Sequence, residues 1–116
     1  MRVLILETNL LWSARLKHGV VALGHEAVVS AFVPEDASFD VAILNLGEPR
    51  APAWAASLAA KGVPAIGHAG HKEKDLLDLG RSLGIARCAT NSELTHKLPA
   101  ILAEFGPSPA SGTQPC

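Results

Sequence analysis

Short aliphatic runs alternate along the chain with longer stretches whose apolar residues recur at helical spacing. Residues 3–6 form the first run, closed by Glu7, and read as a strand buried on both faces. Asn9 can then cap a helix carrying Trp12, Leu16, Val20 and Leu23 on one face, with Gly24 as its left-handed stop. Residues 27–32 predict a second strand, ended by Pro34, and residues 41–44 a third, the clearest of all. Residues 53–61 are Ala-rich and helical, stopped by Gly62. A fourth strand over residues 63–67 is interrupted by Pro64 and Gly67. Beyond Lys72, Leu76, Leu79 and Leu83 share a helical face that ends at Gly84, and residues 85–90 predict a fifth strand. Ser92 can cap a last helix that turns Leu94, Leu98, Ile101, Leu102 and Phe105 inward. Pro99 removes a backbone donor inside that helix and predicts a kink or a restart. Residues 106–116 show no apolar periodicity and predict a flexible Pro/Ser/Gly tail after a domain of residues 1–105.

Five strands alternating with helices imply an α/β domain with a parallel sheet, because right-handed crossovers place helices on both faces. The expected order is 2-1-3-4-5, a flavodoxin-like three-layer fold. In such sheets function gathers at the carboxyl ends of the strands. The residues placed there are Glu7, Thr8 and Asn9, then Asn45 to Gly47, then His68 to His71, then Thr90 and Asn91.

Composition narrows the function classes. Ten basic and eleven acidic residues leave a net charge of −1, which gives no reason to expect nucleic acid or an acidic membrane as partner. No apolar run approaches the roughly 18 residues that span a bilayer, so the expectation is a cytoplasmic protein. The two cysteines, Cys88 and Cys116, have neither metal nor redox spacing, and no disulfide is expected between them. The segment after the first strand holds no glycine from Thr8 to Ser13, which argues against a nucleotide phosphate loop. His68 and His71, with Glu73 and Asp75 behind them, are the one cluster with ligand chemistry. They read first as solvated loop histidines, with a transition-metal or anion site as the alternative. Trp12 and Trp54 read either as helix packing or as anchors for a partner.

The same edge segments carry a resemblance to the receiver domains of two-component response regulators. Residues 2–9 look like the family's first strand, which closes with an acidic pair; residues 24–29 resemble the entry to its second. Residues 39–49 match the third strand and its loop, with Asn45 in the phospho-acceptor position, and residues 63–66 fit the fourth. The stretch between Phe32 and Asp40 has room for about one helical turn, so the family's second helix is expected to be shortened or missing.

The resemblance also implies a pocket for phosphotransfer, and the sequence departs from it at nearly every position. Glu7 matches the first acid, but Thr8 replaces the second and Asn45 the acceptor Asp. Ala69 stands for the hydroxyl residue, and Asn91, or Thr90 if the loop is shifted, for the Lys. An amide nitrogen cannot be the nucleophile. Each missing charge at ~4 Å forfeits on the order of 1 to 4 kcal/mol of attraction, so Glu7 is not expected to hold Mg²⁺, and no cofactor is expected. The expectation is a degenerate receiver: not an enzyme, but a signalling domain that works by protein contact. The family's usual face, bounded here by Lys72 and Phe105, is the expected docking surface for a kinase or other regulator, or the homodimer surface. The competing reading is a small-ligand or metal sensor that uses Glu7, Asn45, His68 and His71 in the emptied pocket.

Overall fold

In the computed structural model, which describes residues 1–35 and 38–106, five parallel strands form one sheet in the order β2-β1-β3-β4-β5. The strands are β1 (Arg2–Leu6), β2 (Glu26–Ser30), β3 (Val41–Asn45), β4 (Ala65–Ala69) and β5 (Arg87–Thr90). The helices are α1 (Leu10–Ala22), α2 (Ala51–Ala60), α3 (Lys74–Ser82), α4 (Asn91–His96) and α5 (Leu98–Ala103). The expected sheet order and crossovers are therefore present. Among the described residues no helix lies between β2 and β3. The tail expected over 107–116, and with it any pairing of Cys116, lies outside the described residues.

Strand alternation divides the core into two clusters. Leu4, Leu6, Ala42 and Leu44 face one side of the sheet, where Trp54 and Leu58 of α2 and Leu76 and Leu77 of α3 cover them. Val3, Ile5, Ile43 and Ile66 face the other, under Leu16 and Val20 of α1, Leu94 of α4 and Leu98 and Ile101 of α5. Each aliphatic side chain so buried contributes about 1.5 to 3 kcal/mol, which is why the central strands are aliphatic without a break. Trp54 is buried and its indole N–H donates to the Ala31 carbonyl at 3.2 Å, so α2 ties down the chain just after β2. Trp12 is half-buried against the second cluster. Both tryptophans are packing residues. At Gly67 a Cβ would lie 3.0 to 3.1 Å from the Leu46 side chain, so the strand glycine makes room for that neighbour.

Local signals set the element ends, with some corrections. Asn9 does cap α1, its side chain accepting from Trp12 N–H at 3.0 Å. The last helical region breaks at Lys97, and Pro99 falls in the first turn of α5, where its missing N–H costs nothing. Its cap is Thr90, not Ser92: Thr90 accepts from Glu93 N–H at 3.1 Å and Glu93 accepts from Thr90 N–H at 3.0 Å. That reciprocal bonding holds the Glu93 carboxyl below its ordinary pKa. Thr90→Ala is expected to cost about 1 kcal/mol in urea denaturation, while Ser92→Ala stays within a few tenths.

Candidate functional site

Parallel register brings the site together. Leu6 lies beside Leu44 and Asn45 beside His68, so Glu7 follows at the same level. Glu7, Asn45 and His68 share the strand parity of Ile5, Ile43 and Ile66, and all three turn toward the α1 side of the sheet. Ala69, the next residue of β4, turns the other way and is buried.

Glu7 is 4% exposed, yet it is well supplied with donors. Its Oε2 accepts from Asn9 N–H at 3.2 Å, and the Asn45 amide donates to Oε1 and Oε2 at 3.2 and 3.3 Å. The His68 Nε2 lies 3.5 Å from Oε1, close enough for attraction but without hydrogen-bond geometry. Burial pushes the Glu7 carboxyl up in pKa. The imidazole of His68, the Asn9 N–H and the Asn45 amide together outweigh that, and the group sits below its ordinary value. Asn45 is used at both ends, because its Oδ1 accepts from Gly47 N–H at 2.8 Å. The amide thereby pins the loop after β3 while its nitrogen faces Glu7.

His68 is the largest correction to the sequence reading. It is 1% exposed, inside β4 rather than in the loop after it. Its Nδ1 meets Asn91 Oδ1 at 2.8 Å, and its ring lies 5.5 Å from the Trp12 ring. His71 is exposed in the following turn. One of the two histidines is thus buried in the sheet and the other faces solvent. Among the described residues no three His, Cys, Asp or Glu side chains are grouped so as to hold a metal ion.

Above this buried layer a polar pocket of about 460 Å³ opens at the carboxyl edge, lined by Glu7, Thr8, Asn9, Asn45, Gly47, Glu48, Ala69, Gly70, Glu73 and Asn91. All five sequence-derived positions, Glu7, Thr8, Asn45, Ala69 and Asn91, reach it. Of the other lining residues, Asn9, Gly47 and Gly70 belong to the strand-end segments expected at this edge and Glu73 to the cluster behind His68 and His71. Glu48 was not singled out, and its position just beyond a strand end was the available signal. Thr8 donates to Glu48, and Glu73 accepts from Gly70 N–H at 3.2 Å.

The donor set does not fit the Mg²⁺ of a phosphotransfer site. One buried carboxylate remains where an acidic pair and an acceptor would stand, and an N–H group of Asn45 is directed at it.

No family model matches the sequence, and no curated protein matches it either. Solved structures do. The receiver domain of the TMAO respiratory response regulator TorR superposes with a TM-score of 0.72 at 19% identity, over 90% of this chain and 98% of that one. The fold is that of a receiver domain. The Vibrio cholerae chemotaxis response regulator CheY4 gives a TM-score of 0.74 at 16% identity, over 90% and 98% of the two chains. A mutant of RitR gives 0.73 at 14% identity, over 90% of this chain and 51% of that one, so the present chain spans about half the length of that receiver-containing protein. Among the described residues no helix is long and apolar enough to cross a membrane.

Proposed function

We propose that this is a receiver-like signalling domain that is not phosphorylated and acts by protein–protein contact in signal transduction. The observation that carries the reading is the closed hydrogen bonding of Asn45. At the acceptor position the amide donates to Glu7 and accepts from Gly47, so the loop that a phosphoryl group would reorganise is already tied. The hydroxyl in the pocket, Thr8, is engaged with Glu48, and a non-enzymatic, cofactor-free role is part of the proposal. Neither nucleic acid nor a membrane is proposed as partner, and the cytoplasm is the proposed compartment. As for the contact surface, the large exposed hydrophobic side chains found among the described residues all lie between Leu10 and Phe32, not within the 72–105 region that the resemblance suggests. That distribution favours the first half of the chain. A second reading, a small-ligand sensor, is favoured by the volume and polarity of the pocket at Glu7, Asn9, Asn45 and Asn91.

The test is a ¹⁵N NMR titration with Mg²⁺ and then beryllofluoride, with intact mass after treatment with acetyl phosphate. The expected result is silence at Glu7, Asn45, Ala69 and Asn91 and no phosphoryl adduct. Saturable shifts at those residues, or an adduct, overturn the proposal.

A further inference from the structure

Strand β2 is the last strand on its side of the sheet, and its outer edge has no partner among the described residues. The Glu26 N–H donates to the Met1 carbonyl at 2.9 Å, and Arg2 lies opposite Glu26 in the parallel register. Alternation along a parallel ladder then turns the N–H and C=O groups of Glu26, Val28 and Ser30 toward β1. Those of Ala27 and Val29 point the other way, out of the sheet edge. Natural edges of this kind are usually blunted by Lys, Pro or a bulge. β2 contains no Lys, Pro or Gly, and its register runs unbroken from Arg2 beside Glu26 to Leu6 beside Ser30. Val29 is 41% exposed, and Phe32, just beyond the strand, 67%.

The order of residues along β2 selects the occupant. Across a two-fold axis at Val28, a second β2 runs antiparallel to the first. Ala27 then faces the partner's Val29, and Val29 the partner's Ala27, so each outward residue exchanges both of its bonds. Val28 meets the partner's Val28 as the close, non-hydrogen-bonded pair, a favourable cross-strand contact. Glu26 falls opposite the partner's Ser30, so no like charges meet, and its carboxylate already pairs with Arg2 at 2.6 Å. In-register parallel pairing would instead set Glu26 against Glu26. It would also place bonding residues opposite bonding residues, which a parallel ladder does not allow. We propose that the outer edge of β2 is a dimerisation surface that joins two copies of this chain into one continuous sheet. A ~17 Å edge falls short of the ~1,200 Å² at which standard interfaces begin, so the dimer is weak, with Kd on the order of 0.1 mM. A second copy is thus one partner for the proposed interaction domain, whatever the state of its acceptor pocket.

The test uses the full chain, ¹⁵N-labelled, at concentrations from about 20 μM to about 1 mM. Sedimentation equilibrium is expected to show a monomer–dimer equilibrium that stops at the dimer. Over the same range, water-exchange NMR should show the Ala27 and Val29 amides slowing roughly threefold as the monomer fraction falls. Val28 and Ser30, already bonded to β1, should change little. Val29→Pro removes an outward N–H, leaves the ladder to β1 whole and is expected to abolish association. Ser30→Lys, set against the partner's Glu26, is expected to associate roughly threefold or more tightly than Ser30→Glu. Far-ultraviolet circular dichroism checks that each variant is folded, and the Ser30 pair carries the test should Val29→Pro not fold. A chain still monomeric at about 1 mM, or equal association of the two Ser30 variants, overturns the proposal. So does concentration-dependent protection centred on residues 72–105 or on α1 instead of β2. A folded Val29→Pro variant that dimerises like the parent, or association that runs on past the dimer, overturns it as well.

Discussion

Asn45→Asp, the substitution that rebuilds the family's acceptor, is expected to destabilise this protein by about 2 to 4 kcal/mol at neutral pH. The Asn45 amide nitrogen sits 3.2 and 3.3 Å from the two oxygens of Glu7. An aspartate there removes the donor and sets a second negative charge against a carboxylate that is already buried. The pH dependence has a definite sign. With two carboxylates in contact, the folded pair takes up a proton more readily than the unfolded chain does, so the deficit shrinks as the solution is acidified. Mg²⁺ should also recover part of the loss, since the variant presents two anionic oxygen ligands. Urea denaturation of the variant at two pH values, with and without Mg²⁺, reads all three effects. A variant as stable as the parent at neutral pH would show that Asn45 does not hold Glu7.

Removing Glu7 itself produces the second large effect. Glu7→Ala is expected to cost about 3 kcal/mol at neutral pH, because the Asn45 amide and the Asn9 N–H lose their acceptor inside the protein and His68 Nε2 loses the carboxylate 3.5 Å away. Glu7→Gln preserves the shape and one acceptor oxygen and should cost about half as much. An ordinary glutamate titrates near 4.5 and the folded Glu7 below it, so the charged form contributes stability that is complete above that value. The contribution is lost as pH falls through the lower folded value. The gap between parent and Glu7→Gln should therefore be widest near neutrality and narrow toward strong acid. A gap that stays constant across this range would mean that the charge of Glu7 contributes nothing.

The fold was legible because its central strands are simple. The run Val41–Asn45 has no polar residue before its last position, and a strand flanked on both sides and covered on both faces demands that. Glycines at 24, 62 and 84, all with positive φ, marked helix ends correctly. The site was legible in part. Alignment of strand ends placed Glu7, Asn45, Ala69 and Asn91 at one edge, but one misplaced strand end changed the meaning of His68. Pro64 and Gly67 suggested that the fourth strand was finished at Gly67, whereas β4 runs from Ala65 to Ala69. Gly67 is there because Leu46 crosses it, not because the strand stops. A two-residue shift moved a histidine from solvent into the core. Thr90 escaped notice as a cap for a similar reason: the pair Thr90 and Glu93 is a capping box, but Thr90 had been assigned to strand alone.

That no helix lies between β2 and β3 among the described residues also bears on how the molecule comes apart. β2 is an edge strand bonded only to β1, and its five residues are half-buried or exposed. β3 lies between two neighbours with four of its five residues buried. Cooperative unfolding need not start everywhere at once, and the unit with least buried surface opens first. If β2 peels away, the remaining four strands keep nearly all of both clusters, since neither cluster takes a fully buried side chain from β2. The amides and carbonyls on one side of β1 are then unpaired. That transient edge is a template for any extended chain nearby. The protein's weakest seam and its route to strand exchange are thus the same line, the pairing of β1 with β2 at the edge of the sheet.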